Sequence, residues 1–148
     1  MRKLAITIAA AATVTSMVAI AFATPSMAEI INLKADLKAS NEVPPNSSKG
    51  TGTLTATYDT ATKKLTWKGS YKDLSGPETA AHFHGNTPPS PPAGNSAVVV
   101  PAPAPSSPFE GSATLTDAQA ADLLAGKWYF NIHTAANKGG EIRGHVTK

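Results

Sequence analysis

The 148-residue chain contains no cysteine, four histidines and only nine aromatic residues of the Phe, Trp and Tyr types (4, 2 and 3). Without cysteine a domain must stand on its core alone, and any metal site must use nitrogen and oxygen donors rather than thiolate. Charge is equally sparse. Lys and Arg number 13 against 10 Asp and Glu, and two of the basic residues, Arg2 and Lys3, precede an apolar run from Leu4 to Phe22 that ends near Ser26-Met27-Ala28. A basic start, an apolar stretch and a small-x-small site are the marks of an export signal cut after Ala28. Residues 1–28 are therefore read as a signal peptide and 29–148 as one mature domain. Its 11 basic and 10 acidic residues leave it nearly neutral, which removes the electrostatic case for nucleic-acid binding. The expected location is periplasmic or secreted, with a mature form that does not span the membrane.

The mature chain reads as all-β. Ile31, Leu33, Ala35 and Leu37 alternate with Asn32, Lys34, Asp36 and Lys38; Leu54, Ala56 and Tyr58 alternate with threonines; Leu65, Trp67 and Tyr71 continue the pattern. Such period-2 alternation marks strands buried on one face. Asp59-Thr60-Ala61-Thr62 reads as a hairpin turn. One helix is expected over Asp117–Ala125, with Thr116 as N-cap, Gln119 completing a capping box and Gly126 ending it. Residues 86–108 hold most of the chain's 12 prolines, so they read as a long loop with an edge strand near Ala97–Val100. Its two readings are a plain connecting loop and a rim beside the functional site. Short strands and regular turns predict an antiparallel Greek-key β-sandwich or barrel with one short helix.

The histidines carry the chemistry. His82 and His84 share a face because side chains two apart on a strand point the same way. His133 lies out of phase with Trp128, Phe130 and Ile132, and His145 lies out of phase with Ile142 and Val146. All four therefore sit opposite the expected core, on a face open to solvent. The turn Asn137-Lys138-Gly139-Gly140 would make the strands of His133 and His145 partners. Imidazoles without thiolate suit Cu(II) and Zn(II), and less often nickel or iron, while calcium and magnesium want oxygen. Asp73, Glu78 and Glu141 are the acids placed to orient a ligand ring. Against this stand a solvated His-x-His surface and a pH-responsive one. Glu42 reads as a cap on the turn before Pro44-Pro45.

Four blocks in order resemble the CHRD domain, first noticed in chordin and common in exported bacterial proteins: Ala39–Pro45, Ala80–Gly85, Gly126–Thr134 and Gly139–Gly144. The resemblance implies an immunoglobulin-like or related β-barrel. His145 departs from the family pattern, which typically has Gln or another residue after Arg-Gly, so His82, His84 and His133 are the family-like set. A more distant likeness is to the Cu/Zn superoxide dismutases, which also place a His-x-His pair, a later histidine, a Gly-rich turn and an arginine in this order. That likeness implies copper on His82, His84 and His133, with His145 or water completing the shell. Arg143 would attract superoxide, and copper would alternate between Cu(II) and Cu(I) as it oxidises one superoxide and reduces the next. The dismutases' zinc loop, disulfide and bridging histidine have no counterpart here, and the alternative for Arg143 is an ion pair with Glu141 or a bond to a turn carbonyl. The expected function is thus metal binding, with copper as the ion the dismutase likeness implies and superoxide dismutation as the leading activity. The alternative is a non-catalytic module: a copper carrier, or a protein- or envelope-binding domain without metal.

Overall fold

Alternating residues pair three strands into a meander: β1 (Ile30–Lys38), β2 (Thr51–Asp59) and β3 (Lys64–Lys72). The computed structural model describes residues 27–85, 98–102 and 106–148. Apart from Met27 and Ala28, the expected signal peptide lies outside them, as do residues 86–97 and 103–105 of the proline-rich segment. The β2–β3 turn forms where Asp59 stops the ladder. Its Oδ1 accepts from the backbone N–H groups of Ala61 and Thr62 at 2.8 and 3.2 Å, and Lys63 takes a left-handed φ of 57°. An aspartate bonding its own backbone two residues on is the usual chemistry of such a turn.

The remaining elements are β4 (Glu78–His84), β5 (Val98–Ala102), β6 (Phe109–Thr114), α1 (Asp117–Leu124), β7 (Tyr129–Thr134) and β8 (Ile142–His145). Every strand pair is antiparallel, in the order β5-β4-β7-β8-β1-β2-β3-β6. The links from β3 to β4 and from β6 to β7 skip over neighbours, as expected of Greek-key topology. The sheet then curls on itself into a nearly closed barrel. Trp67 on β3 meets Phe83 on β4 edge to face at 5.0 Å, and Phe109 on β6 stacks on Phe130 of β7 at 5.6 Å. These contacts join strands far apart in the sheet order. Leu33, Leu37, Leu54, Leu65, Ile132 and Ile142 fill the space between them.

The edge strand sits where the proline-rich segment allows it. Pro101 pairs with His82 on the outermost strand, the position where a residue lacking an N–H disrupts the ladder least. Helix α1 starts with a full capping box: Gln119 N–H donates to Thr116 Oγ1 at 3.2 Å, and Thr116 N–H donates to Gln119 Oε1 at 2.8 Å. It buries Ala120 and Leu123 and ends before Gly126 at φ 70°. Among the described residues, no helix is long and apolar enough to cross a membrane.

One expectation is corrected. The face of β7 and β8 opposite the core is largely closed to solvent. Residues 39–50 cross over it, tied down where Asn41 Nδ2 donates to the Arg143 carbonyl at 3.1 Å and Asn46 Nδ2 to the Glu141 carbonyl at 3.0 Å. Tyr129, Asn131, Glu141 and Arg143 are therefore buried although they point away from the apolar core. The domain has an apolar interior and, on one wall, a buried polar layer outside it.

That layer needs β8 pressed close to β1, and Gly144 permits it. A Cβ there would come within 2.6 Å of the Asp36 carbonyl oxygen and 2.8 Å of Leu37 Cδ2. Because one of these neighbours is backbone, Gly144→Ala is expected to destabilise the domain by about 1–3 kcal/mol, the usual range for overpacking. Denaturant unfolding followed by circular dichroism measures it; an unchanged midpoint would mean that the β1–β8 seam spreads freely.

Candidate metal centre

Strand register brings three histidines together. On β4, His82 lies opposite Asn131 of β7 and His84 opposite Tyr129, while His133 lies opposite Ala80. His133 is thus the diagonal neighbour of His82. Their Nε2 and Nδ1 atoms are 3.2 Å apart, and one ring nitrogen from each of His82, His84 and His133 falls within 4.8 Å of the others. His84 is buried, whereas His82 and His133 are half-buried.

Each ring is held from behind. His133 Nδ1 lies 2.9 Å from the Lys138 carbonyl oxygen. A carbonyl only accepts, so Nδ1 carries a proton, and in the neutral ring this tautomer turns a bare Nε2 toward the cluster. This is the tautomer control that metal-binding histidines show. The His84 ring stacks on Tyr129, with centroids 4.6 Å apart and planes 5° from parallel. For His82, desolvation leads, and the neighbouring His133 and His84 add to it, in lowering the pKa; the neutral form able to donate a lone pair is favoured.

A ring of contacts closes beneath the cluster. The Arg143 guanidinium lies 3.9 Å from the centroid of Tyr129, and its Nη2 is 3.0 Å from Glu42 Oε2. Glu42 Oε1 accepts from Asn131 Nδ2 at 3.5 Å. Asn131 Oδ1 returns to the histidines, 3.0 Å from His84 Nε2 and 3.1 Å from His133 Nε2. Burial raises the Glu42 pKa, with Arg143, the Val43 N–H and Asn131 pulling against it.

The structure separates the fourth histidine from the other three. His145 lies opposite Tyr129 on β8, so β7 stands between it and His84, a span of two strand spacings or roughly 10 Å. It shares the face and not the cluster. Arg143 is also displaced from its expected setting: it is fully buried and paired with Glu42, not with Glu141. Its charge is compensated within the protein instead of facing solvent.

Glu141 holds a separate polar knot. It accepts from Ser48 Oγ at 2.6 Å, Ser75 Oγ and N–H at 2.6 Å each, Thr134 Oγ1 at 2.5 Å and Asn137 Nδ2 at 3.1 Å. It ties the 39–50 and 73–76 segments to the β7–β8 turn, and His133 takes its orientation from Lys138 and Asn131.

Sequence reasoning puts Tyr129 and Asn131 on the face of His133, four and two residues before it, without giving either a role at the site, and it misses the partner of Glu42. The Glu42–Arg143 pair joins residues far apart in the chain and has no local signal. Glu42 does cap its turn, accepting from the Val43 N–H at 3.3 Å, but that is its lesser contact.

A barrel with a three-histidine cluster on a polar wall defines the class of module. The chain matches the CHRD domain family over residues 33–146, and it belongs to that family. No curated protein and no solved structure is similar enough to count as a match.

The Glu141 knot predicts acid sensitivity. Burial alone would raise its pKa, but the Ser48, Ser75 and Thr134 hydroxyls outweigh that and bring it from 4.5 down to about 2. A depressed carboxylate stabilises the fold fully above its unfolded pKa, and the contribution disappears as pH falls through the folded value. About 3 kcal/mol of stability should therefore be lost between pH 5 and 2. Urea unfolding across this range, compared with Glu141→Gln, tests it: the variant should show a flatter pH dependence, and equal slopes would refute the assignment.

Proposed function

We propose that this CHRD domain binds one transition-metal ion through His82, His84 and His133, with copper(II) first and zinc(II) second, in an exported compartment. The observation that carries the reading is the bare Nε2 of His133, held by the Lys138 carbonyl and aimed at two further imidazoles. A solvated histidine surface does not require that tautomer or this convergence. The absence of cysteine favours borderline divalent ions over those that prefer thiolate. Isothermal titration of copper(II) into residues 29–148 should give one equivalent bound, with His84→Ala weakening it at least about tenfold, as loss of a ligand should exceed the effect of losing an outer contact. A wild-type protein that takes up no stoichiometric copper or zinc would leave a domain acting through protein or envelope contacts alone.

Ion carriage or storage fits the buried, charge-compensated Arg143 better than catalysis does, since an arginine paired with Glu42 presents little net charge to an approaching anion. Superoxide dismutation is the second reading. It is favoured by the half-buried state of His82 and His133, which leaves one side of an ion within reach of a small anion. The likeness to the Cu/Zn dismutases rests on residue order, and fold analogy alone assigns no activity. Copper-loaded protein should then consume superoxide faster than an equal amount of free copper; equal rates would remove this second reading.

A further inference from the structure

Donor and acceptor bookkeeping at the centre of the cluster points to a ligand outside the histidine set. Asn131 is buried, and its two amide ends are distinguishable by their neighbours. Glu42, ion-paired to Arg143, presents a carboxylate oxygen to one end. A carboxylate accepts, so that end is the NH₂ group and the opposite end is Oδ1. Oδ1 therefore faces His84 Nε2 and His133 Nε2 at 3.0 and 3.1 Å.

For His133 this creates a specific conflict. In a neutral ring whose Nδ1–H is committed to the Lys138 carbonyl, the Nε2 lone pair meets a lone pair of Asn131 Oδ1. A positive centre between the two, a proton on Nε2 or a metal ion, relieves the contact. Three of the six spacings match a metal ion's, since a tetrahedral centre with bonds of about 2.0 Å has its ligand atoms ~3.3 Å apart; the histidine nitrogens as a set lie within 4.8 Å and would draw in around an ion. The separations His82 Nδ1 to His133 Nε2, His84 Nε2 to Asn131 Oδ1 and His133 Nε2 to Asn131 Oδ1 are 3.2, 3.0 and 3.1 Å.

We propose that Asn131 Oδ1 is the fourth metal ligand, completing a three-nitrogen, one-oxygen shell with His82, His84 and His133, and that the Glu42–Arg143 pair aims it. This rests on the reading that the three histidines hold an ion. Asn131 takes the place that the sequence pattern offered to His145. The amide oxygen is a hard donor, so the shell prefers a divalent ion over Cu(I), which favours softer ligands.

The test uses the mature chain with zinc(II), copper(II) and copper(I) as probes. Asn131→Ala should bind zinc(II) and copper(II) at least about tenfold more weakly while changing copper(I) affinity much less. A purely structural role would weaken both copper states alike. In wild type labelled with ¹³C,¹⁵N-asparagine, zinc(II) should shift the side-chain amide carbon of Asn131 and leave those of Asn41 and Asn46 in place. This second measurement needs no variant and can still overturn the proposal if Asn131→Ala fails to fold. If zinc(II) binds wild type and is lost in His84→Ala, but the Asn131 resonance does not move, the amide is only a hydrogen-bond acceptor and the proposal falls. If wild type binds none of the three ions, the histidine reading falls first and this one with it.

Discussion

The buried Arg143–Glu42 ion pair is the constraint to which the polar wall of this barrel is fitted. A guanidinium and a carboxylate withdrawn from water gain from each other only in good geometry and with their other polar atoms occupied. Here the carboxylate also accepts from the Val43 N–H and Asn131, while the guanidinium lies over Tyr129. Tyr129 in turn supports His84, and Asn131 touches His84 and His133. The histidines thus inherit their positions from charges that never reach solvent. Coupling of this kind makes a polar network all or nothing, because a single missing partner leaves a buried charge.

The apolar core alone could not set this geometry. It determines which face of β4, β7 and β8 looks inward, through Phe83, Phe130 and Ile142, but says nothing of what covers the other face. The cover is supplied by the 39–50 segment, anchored by asparagine amides on backbone carbonyls and by the Glu141 knot. Gly144 makes room for β8 to approach β1, which brings the segment emerging from β1 above Arg143. Backbone proximity, side-chain amides and one ion pair combine into a single wall.

Much of this was legible in the chain. The alternation of Leu33, Ala35 and Leu37 identified a one-sided strand, Thr116 and Gln119 the start of the helix, and the proline pattern an edge strand. The phase of His82, His84 and His133 identified a shared face. What phase cannot supply is the column a residue occupies across the sheet. His145 has the right phase and the wrong strand, and only register separates it from the others. Nor does periodicity announce that an outward-facing residue will be roofed over: Asn131 and Tyr129 read as surface positions until the 39–50 segment is laid across them. Glu42 meets Arg143 from the far end of the chain, a distance at which local patterns are silent.

The contact between His82 and His133 spans 51 positions of sequence, and that span includes the whole proline-rich segment and helix α1. A bond from each ring to a common atom would close this loop as a covalent bridge does. For a disulfide over the same length, the chain-entropy model gives about 4 kcal/mol of stabilisation through the unfolded state. In a domain made without cysteine, an ion held as proposed would make the histidine cluster a crosslink that can be fastened and released without redox chemistry at sulfur.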